Sequence, residues 1–377
     1  MIKTEVSLVK CVDYDIGRVK ESLREALSLI GGLEGLIGKG DRVLVKPNML
    51  SARLPEEGVT THPAIVRGIV ELVREAGAEA LIGDSPGGTK RDLKHFWDVC
   101  GYKEVSEITG APLVSLEQDL REVKIPGGVI YKSLHFSRAV LEVDALITVP
   151  KLKTHNVTLL TGAVKNLLGL IPGLGKMEFH RRCPRPADFG EAVVDIFSLL
   201  KPRLAVMDAV VGMEGNGPVS DKLRDIGVIL ASPDPVALDT VAQVIMGLKP
   251  FDVPTTRAAA QRGLGTADLR KIELKGEPLE GIIVENFTLP SNAVMRKIPK
   301  PILNLISRRI MIKPRAGTDK CTGCRCCIES CPVGAISLKN NLACVDYEKC
   351  ILCLCCYELC PEKAMDLKRS LLARLWT

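Results

Sequence analysis

Cys321-Thr322-Gly323-Cys324-Arg325-Cys326-Cys327-Ile328-Glu329-Ser330-Cys331-Pro332 recurs 29 residues later as Cys350-Ile351-Leu352-Cys353-Leu354-Cys355-Cys356-Tyr357-Glu358-Leu359-Cys360-Pro361. Both runs read C-x2-C-x2-C-x3-C-P. Three thiolates at this spacing wrap one face of an iron–sulfur cubane, and the fourth cysteine of each run ligates the neighbouring cluster. The pattern predicts two [4Fe–4S] clusters, one on Cys321, Cys324, Cys327 and Cys360, the other on Cys350, Cys353, Cys356 and Cys331. The x3 spacing selects Cys327 and Cys356 as third ligands, so Cys326 and Cys355, with Cys344, read as small buried side chains. Paired zinc sites also use C-x2-C, but a doubled eight-cysteine pattern with no histidine in the segment and a proline after each run speaks for cubanes. Residues 314–368 are thus expected to form a small α+β ferredoxin-like domain.

Working outward, eleven of the 14 cysteines lie after residue 320, a distribution that suits metal binding in a reducing cytoplasm rather than disulfides. The N-terminal MIKTEVSLVK carries Lys3, Glu5 and Lys10 where a secretion signal would be apolar, and no apolar run is long enough to span a membrane. The net charge of +6 is local: residues 286–318 hold seven basic side chains and no acidic one. With an aromatic content of 4%, this speaks against a nucleic-acid partner. Residues 286–313 read as a basic, proline-containing linker and 369–377 as a short tail helix.

The first 285 residues alternate strands and helices, the pattern of an open, layered α/β sheet. Expected strands are Val43–Val45, Ala80–Ile82, Ala145–Val149, Leu204–Met207 and Gly227–Leu230; expected helices are Pro63–Ala76, Arg91–Val99, Phe189–Leu200 and Pro235–Met246. Each strand runs into a polar or glycine-bearing segment, and ligands of such sheets bind beyond the carboxyl ends of strands.

The richest of these segments is 151–185, with Lys151, Lys153, His155, Lys165, Lys176, His180 and three arginines against one acid, Glu178. If the chain stays extended, Lys151, Lys153 and His155 share one side, and the Thr161-Gly162 turn can start a helix that offers N–H groups to an anion. Cations at strand ends suit a carboxylate or phosphate, and a histidine among them can move a proton. Lys151, Lys153, His155 and Lys165 are therefore the candidate catalytic residues. Lys46, Asn48, Asp84, Ser85, Asn166, Lys176, His180, Asp208 and Glu214 are candidate binding residues for an anionic small molecule, Asp208 and Glu214 as groups that bind a cation or orient a lysine. Asp234 reads as a helix cap, and Cys183, among cations, as a thiol whose thiolate they would stabilise. Gly173-Leu174-Gly175-Lys176-Met177 lacks the early glycine and the hydroxyl residue of a phosphate loop, and no dinucleotide fingerprint follows the first strand.

Val45-Lys46-Pro47-Asn48, Gly83-Asp84-Ser85-Pro86-Gly87, Val149-Pro150-Lys151-Leu152-Lys153-Thr154-His155, Thr161-Gly162-Ala163-Val164-Lys165-Asn166 and Asp208-Ala209-Val210-Val211-Gly212-Met213-Glu214-Gly215 together resemble the domain of unknown function 362, in the form fused to a C-terminal bacterial-type ferredoxin module. The resemblance implies an α/β domain coupled to two [4Fe–4S] clusters, mostly in anaerobic metabolism. It supplies no reaction.

The resulting expectation is a ferredoxin-type oxidoreductase that reduces an anionic molecule and is served by a redox partner protein, a ferredoxin or an oxidoreductase. A non-catalytic electron-transfer subunit, or a maturation or carrier protein using the clusters for reductive activation, are the alternatives.

Overall fold

Alternate residues of the central strands belong to opposite cores. Val43 and Val45 pack on one face of the sheet and Leu44 on the other; Leu204 and Val206 are opposed in the same way to Ala205 and Met207. A sheet buried on both faces needs helices on both, which is why these strands are apolar throughout. The computed structural model describes residues 3–87, 92–290 and 312–369. Most of the expected linker and nearly all of the expected tail helix lie outside those residues.

The sheet strands are β1 (Thr4–Lys10), β2 (Arg42–Pro47) and β3 (Glu79–Ile82); a separate hairpin, β4 (Leu120–Lys124) and β5 (Ser133–Ser137), comes next; then β6 (Ala145–Val149), β7 (Lys151–His155), β8 (Leu159–Thr161), β9 (Leu204–Met213), β10 (Leu223–Ser232) and β11 (Ile272–Gly276) complete the sheet. Its order is β11-β1-β10-β9-β6-β2-β3, with β7 and β8 attached beside β9. The β9-β6-β2-β3 half is parallel, while β10 runs antiparallel to both β1 and β9. Helices Ile16–Ser28 and Pro63–Glu75 cover one face; Pro186–Leu199, Pro235–Ile245 and Pro254–Gln261 cover the other. The fold is the expected layered α/β sheet. All five expected strands are present, some of them longer, and the four expected helices start or stop within three residues of their predicted ends.

One feature of the sheet positions the site. Pro150, which has no N–H to give a ladder, separates β6 from β7, and both run parallel to the ten-residue β9. β6 pairs with its start (Thr148 opposite Ala205) and β7 with its end (Lys151 opposite Asp208). The charged run KLKTH is thereby a fully buried strand, not an exposed strand-end segment.

The C-terminal module pairs β12 (Ile312–Ala316) with β15 (Met365–Arg369), and β13 (Ile336–Lys339) with β14 (Leu342–Val345). Short helices Cys326–Glu329 and Cys355–Glu358 carry the centres of the two cysteine runs.

Candidate functional site

A cleft partly open to solvent lies where the carboxyl ends of β2 and β3 meet the second cysteine run. Its floor is a hydrogen-bonded set of side chains. The Lys46 ammonium donates to the Pro47 carbonyl (2.9 Å) and Asn166 Oδ1 (3.1 Å) and pairs with Asp84 Oδ1 at 3.0 Å. Asp84 also accepts from the backbone N–H groups of Met49 and Ser85. Burial pushes the Lys46 ammonium down and the Asp84 carboxyl up, and their mutual attraction opposes both shifts. A Cβ on Gly169 would lie 2.0 Å from Asp84 Oδ1 and 2.5 Å from Lys46 Nζ, so only glycine lets the chain pass this pair.

Along one wall, the Ser85 hydroxyl donates to Glu117 Oε1, whose other oxygen accepts the Gly173 N–H at 3.0 Å. Lys176 donates to the Ser85 carbonyl and hydroxyl and to the Pro86 carbonyl. Gly173-Leu174-Gly175-Lys176 is thus the first turn of helix Gly173–Arg182, with an internal carboxylate where a phosphate would sit in a phosphate loop. His180 is buried against Phe189, and burial, helped by Lys165, pulls its pKa down to about 3. It is neutral at physiological pH. Lys165, on the short helix Ala163–Asn166, lines the cleft and makes no hydrogen bond or ion pair among the described residues. Burial lowers its pKa to about 8, with Glu358 opposing and Lys46 adding to the shift.

The module closes the cleft with Cys355, Glu358 and Leu359. Glu358 Oε1 stands 3.6 Å from His155 Nε2. His155 Nδ1 accepts from the N–H groups of Val157 and Thr158, which leaves the neutral ring's proton on Nε2. Burial raises the Glu358 carboxyl to about 7, against the pull of Lys165 and Lys153. The docking is fastened by Tyr357 Oη on the Val219 carbonyl (2.7 Å), Arg53 on the Cys360 carbonyl (2.9 Å) and Lys363 between Glu57 and Asp221.

Among the described residues, no three His, Cys, Asp or Glu side chains are set to hold a single metal ion. The cysteines stand instead around two cavities. Cys321, Cys324, Cys327 and Cys360, with Cys326, line one; Cys331, Cys350, Cys353 and Cys356, with Cys355, line another. Backbone N–H groups of Ala335 and Ala364 point at the sulfurs of Cys331 and Cys360. Cys355 belongs both to the second cavity and to the cleft.

Four expected site residues do not line the cleft. Lys151 pairs with Asp208 at 2.9 Å, and Tyr14 Oη bridges the two: it donates to Asp208 and accepts from Lys151 and the Val211 N–H. His62 stacks on Tyr14 at 3.6 Å and gives its backbone N–H to Asp208. Lys153, its ammonium pushed well down by burial, donates to the Val59 carbonyl, and Glu214 is held by Arg224 and the Thr288 N–H. Lys151 and Lys153 on β7 are therefore buried parts of the sheet. The N–H groups at the start of Ala163–Asn166 already have an acceptor, Asp239, whose oxygens accept from Ala163 and Val164. Cys183 is buried and its thiol is pushed up to about 11, because burial outweighs the neighbouring cations that were expected to favour the thiolate. Asp234 caps its helix through the N–H groups of Val236 and Ala237. Sequence reasoning missed Glu358, Cys355 and Glu117; Glu358 and Glu329 occupy the same place in the two runs, so nothing local marks the one that meets the cleft.

Residues 317–337 match the 4Fe-4S binding domain, so the chain carries an iron–sulfur module. The thylakoid-associated protein sll1697 of Synechocystis sp. is 33% identical over 292 residues, which cover 77% of this chain and 88% of that protein. The lactate racemase apoprotein of Thermoanaerobacterium thermosaccharolyticum superposes with a TM-score of 0.42 and 14% identity, over 66% of this chain and 58% of that one. Residues 43–243 match the domain of unknown function (DUF362), and with the sheet and strand-end residues just described the chain belongs to that family.

Proposed function

We propose that the protein is an iron–sulfur oxidoreductase that passes electrons through two [4Fe–4S] clusters to a small anionic molecule held in the cleft. One observation supports this above the others: the Cys355 side chain is wall to both the second cysteine-lined cavity and the cleft. The donor sets fit cubanes, with the four expected ligand cysteines among the five around each cavity, no histidine from 312 to 369, and N–H groups on two of the sulfurs. Bound clusters supply single electrons at a potential tuned by those hydrogen bonds and by exposure.

The chain's own residues bind and orient. Lys165 is the cation with donors to offer, so it receives the anionic group. Lys46, Asp84 and Asn166 hold the floor in place, and Ser85 and Lys176 fix the wall beside it. His155 carries its proton at Nε2 toward the cleft and can deliver it as charge arrives. Electrons enter at the first cavity, where Cys324 is exposed, from a ferredoxin or an oxidoreductase in a reducing cytoplasm.

A second reading, an electron-transfer subunit without chemistry of its own, is favoured by the thylakoid association of the Synechocystis relative. Among the described residues no helix is long and apolar enough to cross a membrane.

The test is anaerobic reconstitution followed by reduction with dithionite and mixing with small organic acids and phosphates. About eight irons per chain, and reoxidation by one compound class that is lost in Lys165→Met while the cluster spectrum is retained, are expected. Zinc in place of iron, or reoxidation indifferent to Lys165, overturns the reading.

A further inference from the structure

We propose that the ligand of this cleft is a monoanion with an apolar body, a carboxylate on a hydrocarbon chain or ring, rather than a phosphate, a dicarboxylate or a sugar acid. The proposal rests on the reading of the cleft as the binding site. It follows from which cations on its walls are already committed and which side chains keep surface that a ligand can reach.

Three lysines line the cleft, and two of them are spent. Lys46 is fully buried, with its three donors on Pro47, Asn166 and Asp84. Lys176 donates to the Ser85 carbonyl and hydroxyl and to the Pro86 carbonyl. Backbone donors at the walls are taken as well: the Gly173 N–H by Glu117, those of Met49 and Ser85 by Asp84. Among the described residues that leaves the ammonium of Lys165, which is half-buried and balances one negative charge. A phosphate or a second carboxylate would need further donors, and it would share the cleft with the carboxyl groups of Asp84 and Glu358.

The surface around that cation is hydrocarbon. Apart from two glycines, the lining residues that are not buried are Asn48 and Lys176, both hydrogen-bonded within the protein, Lys165, and the apolar Leu50, Met177 and Leu359. The last three come from different parts of the chain: the segment after β2, helix Gly173–Arg182 and the module. Leu359 reaches across to the large domain, where a Cβ on Gly87 would stand 2.6 Å from its Cδ2. Small-molecule sites bury most of the ligand against apolar walls and orient it by a few polar groups. Here the polar group is one ammonium and the accessible wall is two leucines and a methionine.

The experiment is calorimetric titration of the reconstituted, oxidised holoprotein with acetate, butyrate and hexanoate, with succinate and adipate as dicarboxylates of matching length, and with hexanol and inorganic phosphate. Each added methylene is expected to tighten monocarboxylate binding about threefold to fourfold, so that hexanoate exceeds acetate by about a hundredfold. Each dicarboxylate should bind at least about tenfold more weakly than its monocarboxylate, because its second charge meets hydrocarbon. Hexanol, without the charge, should bind more weakly than hexanoate, and Lys165→Met should erase that difference. Met177→Gln should lower the ratio of hexanoate to acetate affinity. Affinity indifferent to chain length, a dicarboxylate or phosphate that binds as tightly as hexanoate, no binding by any compound at tens of millimolar, or a hexanoate advantage over hexanol that survives Lys165→Met overturns the proposal. If a variant fails to take up iron, the series on the unaltered protein still decides. Clusters stay oxidised throughout, so failure here leaves the electron path standing. Conversely, a protein that sorts these acids as expected but never reoxidises keeps the ligand class and loses the oxidoreductase reading.

Discussion

Two buried lysine–carboxylate pairs in the sheet have nearly the same separation: Lys46 with Asp84 at 3.0 Å, and Lys151 with Asp208 at 2.9 Å. The first lines the cleft. The second is sealed under the stacked rings of Tyr14 and His62, where it ties the segment before the first helix to β9. Chemistry alone does not separate them; what surrounds them does. A lysine whose donors are all met inside the protein shapes a site, while Lys165, which has no hydrogen bond or ion pair among the described residues, is the one proposed to receive a ligand. The cationic cluster apparent in the sequence is mostly internal neutralisation.

The most forceful way to break this comparison is to remove one partner from each pair. Lys151→Met leaves Asp208 buried without its cation and should cost about 3–5 kcal/mol, seen as a lowered denaturant midpoint. Adding Asp208→Asn should recover most of that, and ligand affinity should be unchanged in whatever fraction folds. Lys46→Met should destabilise by a similar amount and also weaken ligand binding, since Asn166 and Asn48 lose their anchor. If both variants alter binding alike, the pairs are not the different things described here.

Gly169→Ala tests the cleft pair without deleting a charge. Its Cβ would meet Asp84 and Lys46 at distances no real contact shows, so one of them must move. A loss of about 1–3 kcal/mol is expected, with at least tenfold weaker binding and no change at the Tyr14 cluster. A fully neutral alanine would mean that the pair is loosely held.

The layered sheet was legible because apolar runs and capped prolines are local signals: Pro63 behind His62 and Pro235 behind Asp234 both open helices. The cysteine runs were legible for the same reason. What lay hidden depends on distant partners. Nothing near KLKTH says that Pro150 sends it along the far half of β9, 57 residues on from Lys151, to meet Asp208. Nothing near Gly162 says that Asp239 fills the start of the next helix. Cys355 was readable as a buried thiol but not as a wall of the cleft, because that requires the module to dock. The signal available for Glu117 was weaker still, one of two acids before a hairpin. Of the expected site residues, Lys46, Asn48, Asp84, Ser85, His155, Lys165, Asn166, Lys176 and His180 converge, and Lys151, Lys153, Asp208 and Glu214 do not.

Lys165 offers a finer test through pH. Its pKa is lowered to about 8, chiefly by burial. It is charged below that value and neutral above, so affinity for an anion should fall about tenfold per unit above pH 8, beyond the smaller loss that ionisation of Glu358 near 7 brings. An exposed lysine would hold its affinity to about pH 10. Lys165→Arg should restore binding at pH 9, and a profile unchanged by that substitution would remove Lys165 from the ligand's side.

A last test separates the two histidines beside the two regions. Burial pulls His62 to about 4 and His180 to about 3, so each is preferentially neutral in the folded protein. The sign follows from linkage: a histidine with a depressed folded pKa contributes stability fully present above its unfolded value, near 6.5, and lost as pH falls toward the folded value. Each should take away at most about 1.4 kcal/mol per pH unit across that window. His62→Gln and His180→Gln should both flatten the decline of the denaturant midpoint between pH 6.5 and 4, compared at equal cluster absorbance. Only His180→Gln should also change ligand affinity at pH 7, because only His180 lines the cleft. A change in affinity with His62→Gln would show that the sealed pair communicates with the cleft through β7, and the division between a structural pair and a site pair would have to be redrawn.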